Sequence, residues 1–267
     1  MKRNQFSEFV TFCRRLVFQS SLVGLFTLVN IQEILAEQVI IIEPKAETVL
    51  GKMIDYLNDQ ESLSFTAEIT QDSILDSGQK IQIGAYSIFR VRRPNKIWID
   101  YQGDRRHARF YFDGNIFTLE DVDKKVYARI VVDTDLNGLF NFADTQLNLT
   151  IPLEELIAND NDLEDIKSRI NQGTYLGISF VNRFPCYHLA FTQDNLDWQI
   201  WIQIGDQPIP KKFLITYKNL PGSPQYSAIM SDWNFEPIPI AAPIFSFEPM
   251  QNYQEIEFLL PTTIEQP

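Results

Sequence analysis

From Ser62 onward the chain keeps a period of two. Phe65, Ala67 and Ile69 point one way and Thr66, Glu68 and Thr70 the other, which in an extended backbone makes one face apolar and the opposite face polar. Further runs of strand character follow at roughly Gln79 to Arg92, Lys96 to Tyr101, Arg105 to Asp113, Ile116 to Glu120 and Lys125 to Ile130. Asp76-Ser77-Gly78 is a hairpin turn. A second set begins at Gly173 and continues through Cys186 to Thr192, Trp198 to Ile204, Lys211 to Lys218 and Gln225 to Phe235. Short strands joined by tight turns pair as an antiparallel meander. Two segments break the period. After Pro44, Val49, Leu50, Met53, Ile54 and Leu57 recur at helical spacing, and between Asp133 and Ile170 so do Leu153, Leu156 and Ile157, then Leu163, Ile166 and Ile170. The class is therefore α+β, with a helix before one run of strands and a helical insert between the two runs. In the proline-rich tail, Ile244 to Phe247 is one further strand candidate.

Composition narrows the compartment and the partners. Lys2, Arg3, Arg14 and Arg15 precede an apolar stretch from Leu16 to Val29, and Ile34-Leu35-Ala36 offers a small residue at a cleavage position. That order is the order of an export signal, and the stretch is short and polar for a membrane span. Residues 1–36 are expected to be a cleavable signal peptide and 37–267 the exported, periplasmic domain. The alternative at this end is an uncleaved amphipathic anchor. Cys13 lies ahead of the apolar stretch, whereas a lipidated cysteine closes it. Cleavage removes those four basic residues together with Glu8 and Glu33, leaving 19 basic and 33 acidic side chains of the original 23 and 35. Such a surface repels phosphate backbones, which excludes nucleic acid as a partner. Only Cys186 then remains, so no internal disulfide forms.

Chemistry-bearing patterns are sparse. Cys186 and His188 sit two apart on one strand and so share a face, a poor geometry for a nucleophile and its base. Asp133, Asp135, Asn137, Asn141 and Asp144, with Gly138 at the sixth position, have the spacing of a calcium-binding loop; an acidic helix start is the alternative. Asp121 with Asp123, and Glu154 with Glu155, are neighbouring acids of the kind that arise by chance in an acid-rich chain. No catalytic elbow or phosphate loop is present. The expectation is a protein that is not an enzyme and takes no cofactor or metal.

One ordered set of words goes beyond periodicity. Ser64-Phe65-Thr66-Ala67, then Arg92-Arg93-Pro94-Asn95, then Phe112-Asp113-Gly114-Asn115 resembles the start of the LolA family of periplasmic lipoprotein carriers. Ile244-Phe245-Ser246-Phe247-Glu248-Pro249 resembles the strand that ends such domains. Over the rest of the chain, Leu75-Asp76-Ser77-Gly78-Gln79, Cys186-Tyr187-His188-Leu189, Trp198-Gln199-Ile200-Trp201-Ile202 and Tyr217-Lys218-Asn219-Leu220-Pro221-Gly222 resemble a LolA-related family of predicted periplasmic proteins. The resemblance implies a single antiparallel, strongly curved open β-barrel covered by a few helices, with a lid insert at about 133–170. It implies an apolar ligand, a lipid or an acylated protein, and a carrier or sensor role with a membrane-associated protein as a further partner. An interaction module that kept the fold without a ligand is the alternative. It also implies that Arg93 latches the lid; read from its residues alone, Arg93 is a surface arginine before a turn proline. Phe65, Phe89, Trp98, Phe110, Phe112, Trp198 and Tyr217 are the expected cavity lining.

Overall fold

A computed structural model describes residues 41–159 and 161–258. The signal segment, Cys13 and Ala36 lie outside them. One thirteen-stranded sheet runs through the molecule. Its first half is an antiparallel meander: β2 (Ser62–Ile74), β3 (Lys80–Arg92), β4 (Lys96–Gly103), β5 (Arg106–Phe112), β6 (Ile116–Asp121) and β7 (Val126–Val131). The second half is β8 (Gln172–Val181), β9 (Phe184–Thr192), β10 (Leu196–Gln203), β11 (Pro210–Tyr217) and β12 (Gln225–Asn234). The halves join where β12 pairs antiparallel with β2, so the first and last long strands lie side by side at the middle of the sheet.

The edges depart from the antiparallel expectation. β1 (Ile41–Ile42) lies parallel to β8, and β13 (Gln254–Glu255) lies parallel to β7. The strand expected at Ile244 to Phe247 is instead a 3-10 turn, Pro243–Phe245, that buries Phe245. Pro243 and Pro249 flank this segment, and proline has no N–H to give a ladder.

Among the described residues four α-helices cover one face. In α1 (Pro44–Asn58) proline sits at the first turn, where its missing N–H costs nothing, and Val49, Leu50, Met53, Ile54 and Leu57 are buried. α2 (Leu136–Leu147) buries Leu136, Leu139, Phe140, Ala143 and Leu147, and ends at Asn148 in the left-handed region. α3 (Glu154–Ile157) and α4 (Leu163–Ser168) are single-turn pieces. α2, α3 and α4 all fall within 133–170. Among the described residues no helix is long and apolar enough to cross a membrane.

Register defines the face beneath the helices. Phe65 pairs with Phe89, Phe89 with Ile99, Ile99 with Phe110, and Phe110 with Leu119, giving one cross-sheet row of buried side chains. Phe65 stacks on Phe89 at 4.4 Å and on Trp233 at 4.3 Å, which clamps β12 to β2 and β3. The tail crosses the other face, where Phe247 packs on Tyr111 and Tyr127 and Glu255 pairs with Arg129 at 2.6 Å.

Candidate functional site: a cavity under a tied helical cover

The space between helices and sheet is incompletely filled. A cavity of about 400 Å³ lies between α1 and the β10–β11 side of the sheet, a size typical of small-molecule sites. α1 contributes Leu50, Met53, Ile54 and Leu57, and the sheet contributes Trp198, Ile200, Phe213 and Ile215. A smaller one of about 120 Å³ adjoins it, bounded by Ile69, Tyr101, Tyr217, Tyr226 and the segment Asn148 to Leu153. Phe213, Ile215 and Glu155 border both.

The expected lining divides three ways. Trp198 lines the larger cavity and Tyr217 the smaller. Phe65, Phe89, Phe110 and Phe112 stand on the same face of the sheet but are packed into the solid core and line neither cavity. Trp98 is on the opposite face, a correction with a simple cause. It pairs with Arg90 and Tyr111, while Ile97 and Ile99 take the inward positions. A strand shows alternate residues to each face, so the turn at Arg93-Pro94-Asn95 sets the phase and aromatic character does not. Phe213 and Ile215 had a legible signal, since both alternate with Tyr217 along one strand.

Arg93 ties the cover down. Its side chain is 8 % exposed. Nη1 donates to the carbonyls of Leu57 at 2.5 Å and Gln60 at 2.8 Å, at the end of α1. Nε and Nη2 donate to the carbonyl of Ala158, just past α3, at 3.2 and 2.9 Å. The planar fork thus satisfies helix-end carbonyls from two separate elements at once. The neighbouring Pro94 carbonyl accepts from Leu136 N at the start of α2 and from Asn159 Nδ2. Two asparagines add brackets in which a side-chain amide mimics a strand partner: Asn137 exchanges bonds with the backbone of Asn159, and Asn58 with that of Asn161. Lys167 reaches Glu47 at 2.6 Å, tying α4 to α1.

The same turn explains why the sequence words travel together. A side chain at Gly114 would run into the Asn95 amide, and Gly114 has φ of +100°, so only glycine suits both demands. Asp113 Oδ1 accepts from Asn115 N and Ile116 N, while Lys96 Nζ donates to the Asp113 carbonyl. The Asp-Gly-Asn hairpin is therefore the seat on which the Arg-Pro-Asn turn rests.

Three other patterns resolve into structure. Asp135 caps α2 by accepting from Gly138 N at 2.8 Å, and Asn137 is committed to Asn159. With helix from Leu136 onward, the loop of a calcium site does not form there. Among the described residues no three His, Cys, Asp or Glu side chains stand together as for a metal. Asp121 accepts from Lys124, and Asp123 from the backbone N–H of His107. His188 bonds Gln199 at 2.9 Å and stacks on Trp201, while Cys186 is buried, with Sγ donating to the Phe184 carbonyl. Burial holds the His188 imidazole below its usual range.

Two polar features lay outside these expectations. On the outer face, buried Asp100 contacts His107 at 2.6 Å and Arg109 at 3.5 Å, and Arg109 reaches Glu120, which also accepts from Tyr111. From the tail, Tyr253 bonds Glu120, and burial and that contact push its phenol up. Inside the cavity, Glu154 and Glu155 interrupt an apolar wall. Burial, then Glu155, then Asp144 push the Glu154 carboxyl up to about 8. Glu155 is exposed at the edge of the cavity; the protein packed around it pushes its carboxyl up as well, with Arg169 acting the other way.

A family model described as "Predicted periplasmic protein (DUF2092)" matches residues 46–259. The chain belongs to that family. That description agrees with the periplasmic location expected from the order of the first 36 residues. No curated protein matches the sequence. Among solved structures the chain is similar to lipoprotein LppX of Mycobacterium tuberculosis, at 11% identity and a TM-score of 0.43, over 74% of this chain and 99% of that one. It is also similar to a LolA superfamily protein of Nitrosomonas europaea, at 11% identity and a TM-score of 0.37, over 76% and 97%. A third is the MucA/MucB complex of Pseudomonas aeruginosa, at 11% identity and a TM-score of 0.36, over 76% and 61%.

Proposed function

We propose that this member of the family is a non-enzymatic carrier or sensor that encloses a lipid or acyl chain between its helices and its sheet. The observation that carries the reading is the 400 Å³ cavity, apolar over most of its wall, under a cover tied to the sheet by Arg93. Burial of a methylene gains about 0.8 kcal/mol, so a twelve-carbon chain gains roughly 10 kcal/mol before the costs of association. No specific polar contact is needed for such a chain to bind. Release then depends on the cover, which is where the arginine acts. After delipidation, the protein should brighten the neutral dye N-phenyl-1-naphthylamine saturably, and a long-chain lipid should displace it. A dye that stays dark with delipidated protein would remove the carrier reading.

A second reading, an interaction module, is favoured by the β8–β9 hairpin. Leu176, Ile178, Phe180 and Phe184 are exposed there, Phe180 by 70 %. The hairpin from Gln172 to Thr192 contains no acidic residue and has Arg183 at its tip, in a chain of net charge −12. An apolar, acid-free prong suits an acidic protein partner. Under this reading the double variant F180S/F184S loses a protein partner in a cross-linking pull-down while dye binding stays unchanged. An unaltered set of cross-linked partners would count against it.

A further inference from the structure

The cavity's two carboxyl groups sit together on one wall. Glu154 and Glu155 both project to it from α3, and Asp144 of α2 is close enough to act on Glu154. Glu154 Oε2 is fully enclosed and has no hydrogen-bond partner. Among the described residues one cation borders the cavity, Arg169; its Nη2 lies 3.0 Å from Asp165, and its charge also acts on Glu155. α1 presents only apolar side chains, and the β10–β11 wall is apolar apart from the uncharged Gln193. Toward the smaller cavity Glu155 stands with the phenols of Tyr101, Tyr217 and Tyr226.

Among the described residues no cation acts on Glu154, whose carboxyl stands in an apolar site beside two other acids, and Arg169 is divided between Glu155 and Asp165. A ligand carboxylate or phosphate would add a like charge beside Glu154, Glu155 and Asp144. An ammonium would supply the missing partner and give charge-assisted hydrogen bonds to both acids. We infer that the cavity takes an amphiphile with a cationic amine at its polar end, the ammonium donating to Glu154 and Glu155 while the chain lies along Trp198, Phe213 and Ile215. This inference rests on the carrier reading and narrows its ligand.

The test is displacement of N-phenyl-1-naphthylamine from delipidated protein by dodecylamine and by dodecanoic acid, both below micelle formation. Dodecylamine should displace the dye at a concentration lower by about tenfold or more, as one unshared charge-assisted contact would give. That preference should grow from about pH 6 to about pH 8.5, as Glu154 ionises while the amine stays protonated. E154Q/E155Q should bring the two ligands close to equal. E68Q/E236Q makes the same change in net charge at exposed positions away from the cavity and should keep the preference. If wild type binds dodecanoic acid as tightly as dodecylamine, the amine inference fails while the carrier reading stands. If E68Q/E236Q removes the preference as fully as E154Q/E155Q, the effect is net charge and the inference also fails. A dye that does not bind at all removes the carrier reading first.

Discussion

Phe65→Ala is expected to destabilise the protein by about 3–5 kcal/mol, the range for deleting a fully buried phenylalanine. The side chain is 1 % exposed and lies between the parallel rings of Phe89 and Trp233. Those rings belong to β3 and β12, so one truncation opens a void where the two halves of the sheet meet. Neighbours fixed on paired strands cannot collapse into the space, which puts the cost toward the upper end. For a chain of this size the melting temperature should drop by roughly 10 °C. Trp98→Ala provides the contrast, because Trp98 stands half-buried on the outer face. Thermal denaturation followed by circular dichroism checks both. Equal losses for the two variants would mean that the register placing Phe65 inward and Trp98 outward is wrong.

Arg93→Leu is the second large effect, and it acts on stability and on the cover together. Leucine leaves the carbonyls of Leu57, Gln60 and Ala158 without the guanidinium that now satisfies them. Hydrogen bonds to a charged group contribute about 1.5–3 kcal/mol each, and those from one side chain do not add fully, so a loss of about 3 kcal/mol is expected. That corresponds to a fall of roughly 6–12 °C in melting temperature. Arg93→Lys should recover only part of it, because an ammonium is a point donor and does not span two elements as a planar fork does. The second readout is kinetic. With α1 and the Ala158 segment no longer joined through one group, stopped-flow release of bound N-phenyl-1-naphthylamine should accelerate in Arg93→Leu. A melting temperature that falls with no change in release rate would make Arg93 a structural tie and nothing more.

Much of this site is legible in the sequence, because it is encoded locally. The alternation around Phe65 states that the residue faces a core, the spacing of Val49, Met53 and Leu57 states that a helix covers something, and the acids and apolar residues after Asp133 mark the insert. The Arg-Pro-Asn and Asp-Gly-Asn words were legible as a pair through their resemblance to a known family. The contact between Asn95 and Gly114 supplies the physical reason. The cavity was less legible. Phe65, Phe89, Phe110 and Phe112 share its face of the sheet, yet side chains from elsewhere fill the space above them. Whether an inward aromatic ring borders a void depends on what the opposite layer presents.

Period and turn chemistry thus set the element types, most strand limits and the inward phase of β2, since these depend on residues a few positions apart. Pairing of β12 with β2, the parallel edges at β1 and β13, and the outward position of Trp98 were decided by how distant segments meet. Glu154 and Glu155 are the clearest case. In the sequence they are two acids among 35. What distinguishes them is the cavity they border, walled by α1, α2 and sheet residues between 193 and 215. Desolvation of a carboxyl is set by everything within several ångströms of it, and that neighbourhood exists only once the chain has folded.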